Sequence, residues 1–494
     1  MALTSTLEQE LPACSSNYFV DHDLPVLCVD LDGTLLATDT FLESTILLLK
    51  KNPFFIVLLP LWAWRGIAYM KQQVTKRIRL DASALPYRQD ILSYIKQEFH
   101  AGRTLVLATG ADQQVAKAVG THLNIFSAII ASDGVTNIVG SHKRRILEAR
   151  FGFRGFDYIG NDSADLEVWK SAHGALVASS STTLLQQTAK FTPVLHLFPQ
   201  TLPSLKIVIK ALRIHQWVKN IIIFLPLAAA QMILEPAMFV PACLAFLCFS
   251  VCASGLYLFN DLLDLSADRR HPKKKERPFA SGTLPIHVGL LGHPLLIIGS
   301  FFLAWATLPS SFLSILLLYA FTTITYSIYL KKLMMVDVLT LAGLYTLRVL
   351  AGGVAVGITV SSWLLAFSLF FFLSLAFAKR HGELQIRKVS TYQGIERRAY
   401  IGGDKEILGT MGTISGFMSV LVLALYISGQ EVSSSYQNPE LLWLTCPLLL
   451  YWVSRTWLLA HRGHLDEDPL VIAFRDPRSY VIGLAMGLCG ILAM

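Results

Sequence analysis

Charge is scarce in this chain. Only 15% of its 494 residues are Asp, Glu, Lys or Arg, whereas 53% are hydrophobic. That deficit excludes a soluble fold over the whole length and points to an integral membrane protein. Cysteine is scarce too: the seven present offer neither a disulfide framework nor a metal-binding spacing. Cys248 and Cys252 share a helix face within an apolar run and read as small core residues. The opening stretch MALTSTLEQELPACSS has no basic segment and no apolar core of a signal peptide, so the first domain is expected to remain cytoplasmic. The formal charge of +8 collects in loops between apolar runs, as membrane topology requires, and no nucleic-acid partner is expected.

The hydrophobic residues are unevenly spread. Residues 1–200 alternate apolar and polar segments as a soluble domain does, and long apolar runs fill 220–494. Runs able to cross roughly 30 Å of hydrocarbon fall near 218–236, 239–259, 287–307, 310–329, 335–354, 361–378, 409–428 and 439–460, with a shorter one at 480–494. About nine spans are therefore expected. The loops after the second, fourth, sixth and eighth are RRHPKKKER, LKK, KRHGELQIRK…ERR and HRGHLDED; those between carry no Lys or Arg. The charged loops and the N-terminal domain are thus expected on the cytoplasmic side of the inner membrane, with the C-terminus outside. FPQTLPSLK marks a linker within 196–212, separating a domain at 20–195 from a membrane domain at 213–494.

In the first domain VLCVDLDGTLL is a strand ending in Asp30, Asp32, Gly33 and Thr34. TLVLATG ends at Thr109 and Gly110, and FDYIGND ends at Asn161 and Asp162, with Asp165 beyond. Strands alternating with helices predict a doubly wound parallel sheet with its crevice at the carboxyl ends of the strands. Asp30 can attack phosphorus and Asp32 can protonate the leaving oxygen. Thr109 and Lys143 can hold phosphoryl oxygens, and Mg2+ can bridge Asp30 and the carboxylates Asp162 and Asp165. This set resembles the haloacid dehalogenase superfamily of phosphatases over about 20–190. In that family the last motif usually reads Gly-Asp with another aspartate four residues later. Here Asn161 follows Gly160, which leaves open whether Asp162 substitutes and whether the domain turns over. The cap, about 40–100, contains STILLLKKNPFFIVLLPLWAWRGIAYMKQQ. It is too short an apolar run for a confident span, and it reads either as a helix pair on the membrane surface or as a buried cap core.

The membrane domain carries NDLLDLSADRRHPKKKERPFASG directly after an apolar run. Asp261, Asp264 and Asp268 are spaced by three and four, which places them on one face of a helix. Three carboxylates there are expensive near lipid unless cations lie between them. Mg2+ accepts a few carboxylates and completes its shell with phosphate oxygens. Arg269 and Arg277 suit the remainder of a diphosphate, whereas Lys274 and Lys275 read as a solvated loop. YSIYLKKLMMVD adds Tyr326, Lys331 and Asp337 at the next charged end. Arg348 lies within the fifth run and is expected to pair with a carboxylate or a phosphate.

NDxxDxxxD (Asn260 to Asp268), YSxxLK and about nine spans resemble the UbiA-type intramembrane prenyltransferases over about 205–494. The resemblance implies two aspartate motifs gripping a diphosphate through Mg2+, but the second is reduced here, since Leu341 stands where an acid would follow Asp337. LRIHQWVKN, VDVLTLAGLYTLRVLAGG, FAKRHGEL and FRDPRSY look like the branch that transfers phosphoribose to polyprenyl phosphate. Lys219 and Asn220 are then phosphate-contact candidates, although HQWVKN also reads as an interfacial anchor. The expected architecture is an α/β haloacid dehalogenase-like domain with a helical cap, followed by an all-α multi-pass bundle. The favoured reaction moves 5-phosphoribose from phosphoribosyl pyrophosphate to polyprenyl phosphate, and the first domain then removes the 5-phosphate. The alternatives are prenyl transfer from a prenyl diphosphate lipid to an aromatic acceptor and, behind it, a transporter with a regulatory domain.

Overall fold

The computed structural model describes residues 24–200, 203–389, 400–429, 436–465 and 468–493. The N-terminal stretch read for a signal peptide, much of the charged loop after the sixth apolar run, and Asp466 and Glu467 lie outside them. The chain divides into two compact units, Met1–Ser44 with Phe54–Leu202, and Thr45–Pro53 with Pro203–Met494.

The first unit is built on six parallel strands: β1 (Val26–Val29), β2 (Leu105–Asp112), β3 (Ala128–Ser132), β4 (Phe156–Gly160), β5 (Ala175–Val177) and β6 (Val194–Leu197). Their order is β3-β2-β1-β4-β5-β6. Side-chain alternation makes both faces apolar, as a sheet covered by helices on each side requires. Leu27, Val29, Leu105 and Leu107 enter one core, while Cys28, Val106, Ala108 and Tyr158 enter the other. Chain direction across the sheet reverses between β1 and β4, so the crevice opens beyond the ends of those two strands. Three helices, Thr40–Lys51, Phe55–Trp64 and Ile67–Thr75, are inserted between β1 and β2. The next helix, Gln89–His100, buries Ile91, Leu92 and Ile95 in the sheet core. Of the inserted segment, Trp62 is buried beneath Arg77, whose guanidinium lies 4.7 Å from the ring centre. Phe54, Ile56, Val57, Leu61, Trp64 and Ile67 are exposed, which excludes a buried core for this stretch.

The second unit is helical. Among the described residues six helices are long and apolar enough to cross a membrane: Pro236–Leu263, Ile286–Thr307, Ser310–Ile328, Val336–Val356, Ser362–Gln385 and Gly402–Ile427. The other three runs expected to cross are also helical, but shorter: Ile214–Ala229, Thr445–His461 and Pro477–Ala493. The charged stretch KRHGELQIRK is not a loop at its start, since the helix Ser362–Val389 continues through it. Apolar side chains point outward as well as inward. Leu291, Leu295, Ile298, Phe302 and Trp305 form an exposed stripe along one helix, the arrangement a hydrocarbon solvent favours.

Because lipid is as apolar as leucine, these helices associate through close packing at small residues. A Cβ at Gly412 would fall 2.1 Å from the Trp457 ring, and one at Gly352 would fall 1.9 Å from the Ile223 carbonyl oxygen. Gly352→Val should therefore separate Val336–Val356 from Ile214–Phe224 and cost roughly 1–3 kcal/mol. The measurement is thermal unfolding in detergent, with Gly343→Val as control, since a Cβ at Gly343 meets nothing within 4 Å. Equal loss in both variants would remove the packing argument.

Candidate functional site

In the first unit the sheet register assembles the polar cluster. Val29 pairs with Leu107 on one side and Ile159 on the other, so Asp30, Thr109 and Asn161 follow at the ends of three adjoining strands. Gly33 turns the chain away at φ +73°, and a Cβ there would lie 2.5 Å from the Asn161 side-chain nitrogen. Glycine alone allows both the backbone conformation and that approach. The Thr34 hydroxyl donates to Asn161 Oδ1 at 2.9 Å and lies 3.4 Å from Asp30 Oδ2. Lys143 is fully enclosed and donates to Asp30 Oδ1 at 2.8 Å and to the Tyr158 hydroxyl at 2.7 Å. Its Nζ is also 3.7 Å from Asp165 Oδ1. Asp165 is fixed by the Asn161 and Asp162 amides and by the Tyr158 hydroxyl. Asp162 is exposed and caps its own short helix through the Ser163 amide, so Asn161 is the residue that faces Thr34. Thr109 accepts from the Ala111 amide.

Burial raises the Asp30 carboxyl to about 6 despite Lys143. Burial, with Asp39 nearby, raises Asp32 further, to about 7, although the Thr40 amide and hydroxyl bond to it. Burial alone would lower the Lys143 ammonium, but Asp30 and Asp165 reverse that and hold it above its ordinary value. Two buried carboxyls at the same strand end, both raised above their ordinary value, can act as a nucleophile and a proton donor. Asp30 and Asp165 already share one cation in Lys143. A divalent metal fits such a pair when phosphate oxygens complete its shell. Lys71 carried no sequence signal, because its approach is tertiary. It reaches from the inserted segment to the Gly110 carbonyl oxygen at 2.6 Å and to Asn137 at 3.3 Å. Burial lowers its ammonium against the pull of Asp32, Asp39 and Asp30.

In the second unit the three aspartates are brought to one end of the bundle but not onto one continuous helix. Pro236–Leu263 ends at Asp264, whose backbone (φ −102°, ψ 7°) starts the separate helix Leu265–Arg270. The break divides the carboxylates. Asp261 Oδ1 and Asp268 Oδ2 converge on a single nitrogen, Arg277 Nη1, at 3.0 and 2.6 Å, and Asp261 also pairs with Arg213. Asp264 pairs with Lys331 at 3.3 Å and with Lys50, of the Thr45–Pro53 segment, at 3.0 Å. Arg269 is directed to the Ala280 carbonyl oxygen, and the Asn260 carbonyl oxygen accepts from the Asp264 amide. Among the described residues no three His, Cys, Asp or Glu side chains gather closely enough to hold a metal alone. The two-carboxylate fork of Asp261 and Asp268 around one cationic centre does fit Mg2+ that arrives on a diphosphate, since Mg2+ needs only one or two carboxylates besides phosphate oxygens.

Asp337 is fully buried and saturated. Arg380 grips both its oxygens, at 2.5 and 2.9 Å, and Tyr326 donates at 2.8 Å. Among the described residues Arg348 meets no carboxylate, one of the two partners expected for it. It donates to Asn220 at 2.8 Å, to the Leu344 carbonyl oxygen at 2.5 Å and to the Tyr319 hydroxyl at 3.2 Å, with Tyr319 and Tyr345 facing its guanidinium. Asn220 is held in turn by Ser250. Trp217 is not simply an interfacial anchor, since its ring N–H donates to Ser254.

Beside Arg348 lies a cluster that motif spacing did not reveal. Lys219 and Lys379 donate to the same Asp468 oxygen at 2.9 and 3.1 Å, and the Tyr345 hydroxyl donates to Asp468 at 3.1 Å. Burial opposes ionisation of Asp468, yet the two lysines hold its carboxyl well below the usual range. Asp468 also caps the helix Pro469–Ala473 through the Leu470 amide. Buried Lys219 and partly buried Lys379 therefore share one carboxylate, and Arg348 faces the ring of the Tyr345 that also bonds it; cations outnumber the carboxylate here, an arrangement that attracts a further anion. An acidic residue before Pro469 was a legible helix start, but its distance in sequence from Lys219 hid the pairing.

Residues 221–475 match the UbiA prenyltransferase family. The chain belongs to that family. A Sinorhizobium fredii protein, y4nM, is 33% identical over 480 residues, covering 96% of this chain and 92% of its own. The nodulation protein NoeC of Azorhizobium caulinodans is 34% identical over 286 residues, 56% of this chain and 91% of its own. Decaprenyl-phosphate phosphoribosyltransferase of Mycobacterium tuberculosis is 31% identical over 289 residues, again 56% and 91%. With six membrane-length helices, the protein is a multi-pass membrane transferase of UbiA type.

Asp337→Asn should leave Arg380 buried against a neutral partner and destabilise the second unit by roughly 3–5 kcal/mol. Thermal unfolding in detergent measures it. A loss of transfer activity with unchanged unfolding would instead give Asp337 a direct role with substrate.

Proposed function

We propose that the membrane unit transfers 5-phosphoribose from phosphoribosyl pyrophosphate to a polyprenyl phosphate. The observation that carries this reading is the second cationic cluster: Lys219 and Lys379 share the single carboxylate Asp468, and Arg348, bonded to Asn220, faces the Tyr345 ring beside them. A neutral aromatic acceptor needs no such cluster, whereas a phosphate acceptor does. Similarity to decaprenyl-phosphate phosphoribosyltransferase supports the same donor and acceptor classes. The saturation of Asp337 by Arg380 argues against a second metal-binding acidic motif.

In this reading Asp261 and Asp268 orient the diphosphate of the donor, with Arg277, Arg213 and Lys331 supplying its anionic oxygens with donors. Asp261 and Asp268 would hold Mg2+, which when bound would supply charge neutralisation for the departing pyrophosphate. The bond from the anomeric carbon to pyrophosphate breaks, and a phosphate oxygen of the lipid forms the new bond to that carbon. The acceptor is already ionised, so no proton has to be removed. Lys219, Lys379 and Arg348 hold and orient the attacking phosphate.

The first unit we read as a haloacid dehalogenase-like phosphatase on the same cytoplasmic side. Asp30 attacks the phosphorus of a monoester, the bond to the ester oxygen breaks, and Asp32 gives its proton to that oxygen. Water then hydrolyses the aspartyl phosphate, restoring Asp30 and releasing inorganic phosphate, with its proton returning to Asp32. Lys143 and Thr109 hold the phosphoryl oxygens; Asp30 and Asp165 would hold Mg2+, which when bound would supply further neutralisation of their charge. The 5-phosphate of the transferase product is a candidate substrate.

Ribose-labelled phosphoribosyl pyrophosphate, polyprenyl phosphate and Mg2+ should place label in the lipid of vesicles holding the full chain. Asp268→Asn should lower the rate about a hundredfold or more, while Lys379→Met should mainly raise KM for the lipid phosphate. Pyrophosphate release only from a prenyl diphosphate, without lipid label, would favour aromatic prenyl transfer instead. For the phosphatase, Asp32→Ala should lower kcat/KM about a hundredfold on a phosphate ester with a strongly basic leaving group and less on a soluble aryl phosphate, because Asp32 protonates the departing oxygen. An equal loss on both esters would remove the proton-donor role.

A further inference from the structure

The inserted segment of the first unit shows apolar surface where a soluble enzyme would bury it. Phe54 is 82% exposed and Trp64 89%, and Ile56, Val57, Leu61 and Ile67 extend the same surface. The helix Phe55–Trp64 has ten residues, about 15 Å of rise, half of what crossing hydrocarbon needs. Lying in the interface is the geometry open to it. The charge around it selects the occupant. Residues 44–80 contain Lys50, Lys51, Arg65, Lys71, Lys76, Arg77 and Arg79, and no Asp or Glu. An apolar strip with basic flanks complements anionic lipid, and the same chain carries six helices of membrane-spanning length.

The strip also borders the catalytic crevice. Gly66, at φ +123°, turns the chain from Phe55–Trp64 into Ile67–Thr75. Ile67 on that second helix is exposed, and Lys71, one turn further on the same face, reaches the Gly110 carbonyl oxygen at the end of β2. A surface that seats Ile67 therefore brings headgroups to within one helical turn of Lys71. We infer that the strip from Phe54 to Ile67 seats this unit on an anionic bilayer, and that its substrates are phosphomonoesters carried on lipid. The second clause rests on the phosphatase reading given above. Lys71 then meets the phosphate of a substrate presented from the membrane surface, and hydrolysis leaves the lipid-borne alcohol in the bilayer.

The test uses the full chain in vesicles of phosphatidylcholine and phosphatidylglycerol. A bimane is attached at Leu61→Cys or, as control, at exposed Lys117→Cys, with labelling of the unsubstituted protein as blank. At position 61 emission should shift to the blue and be quenched by doxyl lipid but not by aqueous iodide. Position 117 should behave in the opposite way. Equal iodide quenching at both positions overturns the docking. So does protection at 61 without doxyl quenching, the signature of a second copy of the chain covering the strip. In the second arm, Leu61→Asp combined with Trp64→Asp should lower kcat/KM on a lipid phosphomonoester about tenfold or more, through loss of effective concentration at the surface. Hydrolysis of a soluble aryl phosphate should be unchanged, which also shows that the variant folds. Loss on neither substrate overturns the lipid preference. A wild-type chain that is quenched by doxyl lipid yet hydrolyses neither substrate overturns the phosphatase reading while the docking holds.

Discussion

The second unit depends on a single electrostatic constraint: carboxylates inside a lipid-embedded bundle must share cations. An isolated charge there costs several kcal/mol, and a pair is tolerable only when hydrogen bonds use the remaining lone pairs. Arg277 therefore stands between Asp261 and Asp268, Arg380 covers Asp337, and two lysines crowd onto Asp468. The three clusters differ in balance. At Asp337 positive and negative groups close on each other completely, and this ion pair ties together the helices that carry Tyr326, Asp337 and Arg380. At Asp468 cations exceed anions, and at the Asp261–Asp268 fork carboxylates face cations that a ligand can replace. Structure and chemistry are thus separated by charge count more than by residue type.

The first unit meets the same constraint with different means. Its carboxylates lie at the ends of parallel strands, where the switch in strand order leaves a crevice open to water. Lys143 is buried between Asp30 and Asp165 and keeps its charge because both are near. Asp32 has no such cation bonded to it and rises to about 7. Burial raises both aspartates, and Lys143 opposes that rise at Asp30 while Asp39 adds to it at Asp32.

Much of this was legible in the sequence, for identifiable reasons. Strand ends at Asp30, Thr109 and Asn161 follow from short apolar runs that stop at a polar cluster, and the helical runs follow from length alone. The aspartate spacing correctly brought Asp261 and Asp268 together, but a helical template could not show the break at Asp264. Arg348 was expected to pair with a carboxylate or a phosphate; among the described residues its guanidinium meets Asn220, two tyrosines and a carbonyl oxygen, because aromatic faces and amides can also satisfy a guanidinium. Asp468, Lys379 and Lys71 escaped because each acts on a residue far away in the chain, and periodicity carries no information about such partners. Whether the inserted segment was core or surface was undecidable from hydrophobicity, which is the same in both cases, and was decided by exposure.

Asp468 holds two lysines with one oxygen and caps a helix with the other. In evolutionary terms this geometry ties the fates of positions 219, 379 and 468 together. Losing the acid alone would strand two ammonium groups and uncap Pro469–Ala473, so drift at 468 has to wait for changes at both lysines. Relatives that keep a different anion chemistry should therefore differ at all three positions together, and chains with intermediate combinations should be rare.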